Sequence, residues 1–273
     1  MVMLFEGTDR QYSMDGYLFA NLTTACRVIK KDWDMMFLVD GGERAGKSTL
    51  AIQCAVMCDP TFKIDRVVFT PNAFRSAIMS AEKYQAVVYD EAFTGLNSRA
   101  AMTLVNRTLV SMLAEIGQKN LFVFVVMPTF FDLDKYAALW RSRALIHVYT
   151  GDDFERGFFA FYNVDKKKEL YILGKKFYSY LMPKPNFFGG FPAFLPIDYA
   201  AYRKKKRDSL IQREKNAESE QKRREVELEM FERVMRLPDS VSHTIKMQML
   251  AMPQATYFRK LKTWREQEDL NKI

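Results

Sequence analysis

The sequence predicts an α/β protein, a mainly parallel sheet flanked by helices, followed by a charged helix and a small helical unit. Three observations predict it. From Met35 to about Tyr149 short apolar runs alternate with longer helical stretches, the pattern of buried strands covered by helices on both faces. A glycine-bounded stretch, Gly41–Thr49, stands between the first of these runs and the helical stretch after it. Near residue 200 the composition shifts from an almost neutral body to a basic tail.

A short helical pattern around Leu22–Ile29 leads into the strands. These are Met35–Val39, Arg66–Phe69, Ala86–Tyr89, Leu121–Met127 and Leu145–Tyr149. The helices between them are expected at Lys47–Met57, Asn72–Ala81, Ala100–Ile116 and Leu133–Trp140. After Thr150-Gly151, Gly157–Val164 and Glu169–Leu173 read as a hairpin joined by residues 165–168. The next stretch is rich in Pro, Gly and aromatics, including Phe187, Phe188, Phe191 and Phe194. Proline at that density excludes a long helix, so an ordered, aromatic-anchored linker is expected. A charged helix follows from Ala201 to Leu237, is broken at Pro238-Asp239-Ser240, and gives way to a helical unit over 241–267. The expected organisation is therefore 1–175, a linker 176–202, a charged helix 203–237 and a terminal unit 238–273.

With 273 residues and 48% hydrophobic content, the chain suits one domain with an appendage or two small ones. Its longest clean apolar run, Leu121–Met127, is seven residues; a membrane span needs roughly 20, so no membrane partner is expected. Three cysteines are too few for a disulfide framework. With no basic region ahead of the short apolar start, a reducing, cytoplasmic location is expected. Cys54 and Cys58 are four apart but no second Cys or His pair accompanies them; they read as small core residues, and no structural metal is expected. The net charge is +8, and residues 201–273 carry 18 Lys+Arg against 12 Asp+Glu. A basic tail on a near-neutral body points to a polyanion or, equally, to a solvated charged helix.

The strongest motif is Gly41-Gly42-Glu43-Arg44-Ala45-Gly46-Lys47-Ser48-Thr49, which fits G-x-x-x-x-G-K-[ST] between a strand and a helix. Gly41 and Gly46 let the loop curl so that backbone N–H groups point at phosphate oxygens. The helix N-terminus adds partial positive charge. Lys47 is expected to reach the β- and γ-phosphates, and the Ser48 hydroxyl to hold Mg²⁺. The second motif begins 43 residues after Lys47, where the apolar run Ala86–Tyr89 ends in Asp90 and Glu91. Asp90 is expected to hold the magnesium through water, and Glu91 to polarise the attacking water. The adjacent pair of carboxylates, with no N-K-x-D motif, favours an ATPase over a GTPase.

Strand Leu121–Met127 ends in Pro128-Thr129. A polar sensor of the γ-phosphate is expected at that tip; Thr129 is the first candidate and Gln118 the second. These residues leave the transition-state charge without a further cation. Arg141 and Arg143, before the strand Ala144–Tyr149, read either as a cation offered to a neighbouring subunit or as salt-bridged surface arginines. Arg99, Arg107 and Lys119 are rivals.

At Gly41–Thr49, Val87–Glu91, Leu121–Met127 with Thr129, and Arg141/Arg143, the chain resembles the RecA-like additional-strand P-loop ATPases. Within them it looks like the HerA, FtsK and Zot-type group that moves or packages DNA. The resemblance covers about residues 20–175. Pro128-Thr129 stands where FtsK- and Zot-like proteins usually place Gln, and the length suits a compact viral, plasmid or mobile-element motor. The resemblance implies ATP and Mg²⁺ as cofactors, DNA as partner, and a homo-oligomer, with a hexameric ring as the form to test.

The tail is similar to a helix-turn-helix, with a first helix ending at Leu250, a corner at Ala251–Pro253 and a second helix. Leu250, Met252, Tyr257 and Leu261 would form its apolar seam. Thr256, Tyr257, Arg259, Lys260 and Lys262 form the candidate DNA-contacting set; a helical hairpin for subunit contacts is the other reading. The run Arg203-Lys204-Lys205-Lys206-Arg207 can neutralise several phosphates or simply start a solvated helix. Three readings of the whole follow: a DNA-translocating ATPase, an ATP-switched DNA-binding regulator or loader, and a nucleotide-dependent scaffold.

Overall fold

The computed structural model describes residues 12–90, 98–238 and 240–270. Helix α1 (Gly16–Val28) is capped by Asp15, whose carboxylate accepts from the amides of Tyr17 and Leu18. Strand β1 (Met35–Gly41) is buried along its whole length, as a central strand covered on both faces must be. Then come α2 (Lys47–Cys58), β2 (Val67–Val68), α3 (Pro71–Ser80), β3 (Ala86–Tyr89), α4 (Ser98–Gln118), β4 (Phe122–Val126) and β5 (Ser142–Tyr149). Proline at the first position of α3 and the Thr70 side chain on the Ala73 amide start that helix.

The strand order is β2-β3-β4-β1-β5, all parallel, with β6 (Phe158–Tyr162) and β7 (Phe187–Gly190) added antiparallel beyond β5. The strand that follows the Asp90-Glu91 motif in the chain, β4, thus lies between the two motif strands β1 and β3. One layer of core, with Leu22, Leu50 and Ile52, lies under α1 and α2. The other, with Phe74, Leu109 and Ile116, lies under α3 and α4.

Three expectations change. The expected hairpin partner Glu169–Leu173 is helical, part of α5 (Val164–Gly174). Asn163 caps it by accepting from the Lys166 amide, and Lys167, Leu170, Tyr171 and Gly174 form its buried, helix-spaced face. The true second neighbour of β6 comes from the expected linker, as Phe187–Gly190. Gly189 is essential there, because a Cβ would stand 2.4 Å from the Phe159 ring. Phe191, Phe194 and Leu195 continue onto the core. The expected helix Leu133–Trp140 is shorter, beginning at Lys135 and passing into a π turn, Ala137–Arg141.

Helix α6 (Tyr199–Met235), α7 (His243–Met249) and α8 (Gln254–Leu270) complete the described chain. The contacts divide it into two units between Ser209 and Leu210. The second unit has its own small core of Phe231, Val234, Met235, Tyr257 and Leu261. Leu250 and Met252 pack on it, and Ala251 takes the left-handed conformation at the corner, φ 47°. Among the described residues no helix is long and apolar enough to cross a membrane.

Candidate functional site

The phosphate loop leaves β1 at Gly41, which lies beside Val148 of β5. A Cβ on Gly41 would stand 1.9 Å from the Val148 carbonyl oxygen, and its φ is 138°, so only glycine fits. Arg44 (φ 59°) and Gly46 (φ 106°) complete the curl, and α2 begins at Lys47. Ala45 is in the core cluster and anchors the loop from below. Gly42 has nothing within 4 Å of a notional Cβ, so the loop's upper face is open.

The Lys47 amine donates to the carbonyls of Gly41 (2.9 Å) and Gly42 (2.6 Å). Burial pulls its pKa below the usual lysine range, and the carboxylates of Asp40, Asp90 and Glu43 act against that pull. Beside it the Ser48 hydroxyl donates to Asp90 Oδ1 at 2.9 Å. Asp90 follows β3 directly, is 0% exposed, and is held by its amide on the Val68 carbonyl at 2.8 Å. The two motifs, 42 residues apart at this pair, therefore meet as the sequence requires. Glu91 lies outside the described residues.

The cleft over the loop has a volume of about 540 Å³, with Glu43, Arg44, Lys47, Ser48 and Thr49 on its loop side. Two residues that sequence reasoning missed also face it, Arg156 from the β5–β6 loop and Tyr202 from α6. The Tyr202 hydroxyl donates to Asp90 Oδ2 at 2.7 Å. Its signal was available in outline: Tyr202 and Lys206 are four apart on a predicted helix and share a face.

Thr129 stands at the same sheet edge, but its hydroxyl is engaged elsewhere. It contacts the Tyr180 hydroxyl at 3.0 Å and accepts from the Phe131 amide, and the cleft wall is made by Val126, Met127 and Pro128 instead. Behind the loop, buried Asp40 accepts from the Phe130 amide at 3.0 Å, pairs with His147 Nδ1 at 2.9 Å, and takes the Tyr180 hydroxyl. This network fixes the end of β1 just before Gly41. Burial and the Asp40 charge drive the Tyr180 pKa far above the usual phenol range, so it stays a donor.

Arg141 and Arg143 lie at the opposite edge of the sheet, where β5 begins. Arg141 donates to Asp34 at 3.0 Å and to the Leu113 carbonyl at 3.1 Å. Arg143 reaches Asp34 at 3.8 Å and lies over the Trp33 ring. Within the subunit they tie strand ends together, far from the loop. Lys119 caps the end of α3 through the carbonyls of Ile78, Met79 and Ala81, and Gln118 precedes β4 at that same far edge.

The five-cation run is split by helical geometry. Arg203, Lys204 and Arg207 are exposed. Lys205 donates to the carbonyls of Ile64 and Asp65, both at 2.9 Å, and Lys206 lines the cleft. In the second unit Arg259 and Lys262 are exposed, Thr256 and Lys260 half-buried. Tyr257, placed in the DNA-contacting set, is 0% exposed. Its hydroxyl meets His243 Nδ1 at 2.7 Å, so it is a core residue.

No protein-family model and no curated protein matches the sequence. Among solved structures, the chain is similar to the N-terminal domain of zonular occludens toxin from Neisseria meningitidis. That likeness has 14% identity and a TM-score of 0.36, and it covers 63% of this chain and 98% of that one.

Proposed function

We propose that the chain is an Mg²⁺-dependent ATPase that binds DNA and works as an oligomeric motor, translocating, packaging or remodelling it. The observation that carries the nucleotide part is the Ser48–Asp90 pair beside Lys47, where the ends of β1 and β3 flank β4 under an open glycine loop. The donor set fits the metal: a hydroxyl and a carboxylate are the hard oxygen ligands Mg²⁺ takes alongside water and phosphate. Bound there, Mg²⁺ would neutralise phosphate charge. Ser48 would hold it directly and Asp90 through water. The Lys47 amine would exchange its two loop carbonyls for phosphate oxygens. Loop amides from Gly42 to Thr49 would add N–H donors at the start of α2. Glu91 would accept the proton of the attacking water. The DNA part is supported by the exposed cations of α8, Arg259 and Lys262, and by Arg203, Lys204 and Arg207 of α6.

ATP turnover by the full chain, with and without double- and single-stranded DNA, tests this reading, alongside a mass measurement with ATP present. The motor reading expects DNA-stimulated turnover, an oligomer, and displacement of a bound roadblock. Stimulation without displacement would favour an ATP-switched regulator or loader. Replacing Arg259 and Lys262 by Ala is expected to weaken DNA binding and to reduce its log–log salt slope by about 2. Turnover indifferent to DNA would remove DNA from the account.

A further inference from the structure

We propose that the charge of the terminal phosphates is met within the subunit, by Lys206 of α6 and Arg156 of the β5–β6 loop, and not by Arg141 or Arg143. The inference rests on the nucleotide reading above and deepens it.

The lining of the cleft and the fastening of α6 point the same way. Lys206 lines the cleft over the phosphate loop. It shares that cleft with Lys47, Ser48 and Asp90. The start of α6 is also fastened where it must be for this. Tyr202, one turn before Lys206, is tied to Asp90, and its neighbour Lys205 to the carbonyls of Ile64 and Asp65. Lys206 is thereby held over the loop by a rigid element.

Arg156 adds a guanidinium from a second element. Its loop joins β5 to β6 at the sheet edge where Gly41 and Asp90 emerge. It is exposed, lines the same cleft, and has no side-chain hydrogen bond or ion pair among the described residues. A planar fork suits phosphate oxygens. Arg141 and Arg143, by contrast, are held on Asp34 at the far edge. Lys47 and Ser48 line the cleft from the start of α2. Lys206 and Arg156 line it from α6 and from the β5–β6 loop, and there they would add positive charge at the outermost phosphate beside Lys47.

The test compares MgATP and MgADP affinities and steady-state turnover for the full-length wild type, Lys206→Ala, Lys206→Arg, Arg156→Ala and Lys47→Ala. Removing a cation from the terminal phosphate is expected to weaken MgATP binding about tenfold or more while MgADP binding changes much less. Turnover should fall in both Ala variants, and Lys206→Arg should recover part of the loss. Arg156 is exposed, so its replacement leaves packing untouched and keeps the test open if Lys206→Ala folds poorly. If Lys47→Ala loses nucleotide but Lys206→Ala and Arg156→Ala keep wild-type ATP-to-ADP preference and turnover, the pair within the subunit is overturned and the ATPase reading survives. If the wild type binds neither nucleotide, or Lys47→Ala binds both as well as it does, both fall together.

Discussion

The two edges of the parallel sheet carry similar residue types and use them differently. At the edge where β1, β3 and β4 end, Lys47, Ser48, Asp90 and Tyr202 converge under an open loop, with Arg156 and Lys206 facing them. Their polar atoms contact one another or loop carbonyls through bonds that an entering phosphate or cation can replace. At the edge where β4 and β5 begin, Arg141, Arg143 and Asp34 close on one another, Lys119 caps α3, and Lys167 is sunk against Ser142. Charge at a strand end can receive a ligand only where the backbone leaves room for it. At the first edge Gly41 and Gly42 leave that room; at the second, side chains fill it.

The comparison breaks most visibly at its first edge. Lys47→Ala is expected to abolish tight MgATP binding. Glu91→Gln should keep binding and lose turnover by about 10²-fold or more, because an amide cannot accept the proton. Single-turnover assays beside equilibrium binding separate the two, and normal hydrolysis by Glu91→Gln would remove that residue from its role.

Tyr202→Phe sharpens the comparison at a single atom. It takes one donor from Asp90 Oδ2 and leaves the ring in place. The Mg²⁺ concentration for half-maximal turnover is expected to change several-fold, with the fold unaffected, since the hydrogen bond to a carboxylate is lost without loss of packing. A Mg²⁺ titration reads this directly; an unchanged midpoint would make Tyr202 a packing residue.

At the opposite edge the expected loss is of stability. Arg141→Ala removes a partly buried ion pair and a carbonyl contact, which should cost about 2 kcal/mol of unfolding free energy. Turnover per folded molecule should stay near wild type. Chemical denaturation and active-site-normalised rates measure the two parts. A stable Arg141→Ala protein with sharply reduced turnover, restored by mixing with Lys47→Ala subunits, would return Arg141 to the role of a neighbour-supplied cation.

The smallest effect concerns pH. Burial draws the Lys167 pKa down to about 7, helped by Lys168 and Arg143. Its unfolded value is the ordinary one, 10.5. Between these values the unfolded chain binds more protons, so Lys167 makes stability rise as pH goes from about 7 toward 10. Below about 7 it is charged in both states and the burial cost is fully present. Lys167→Met should raise stability near neutrality and flatten its rise between pH 7 and 9. An unchanged pH profile would mean that the amine is not desolvated.

What the sequence makes legible is what is contiguous. The glycine loop takes nine successive residues at a strand–helix junction, and Asp90 ends an apolar run, so both motifs can be read from the chain alone. The chain is silent where a role depends on distant neighbours. Phe187–Gly190 reads as loop because its first glycine, Gly189, is there for the Phe159 ring, which only strand pairing brings near. The helix α5 was obscured because one of its buried positions is a lysine. The run at 203–207 looks uniform as a string, yet a helix turns two of its five cations toward the body. Thr129 occupies the expected strand tip, but its hydroxyl is drawn to Tyr180, a contact across 51 residues.

The most direct test of the central claim, that this sheet edge is a nucleotide site working on ATP, is phosphate release from MgATP by the full chain and by Lys47→Ala. The account predicts steady turnover by the wild type that requires Mg²⁺ and falls to background in Lys47→Ala, with both proteins folded by circular dichroism. Equal turnover by the two, or turnover that does not depend on Mg²⁺, would contradict it.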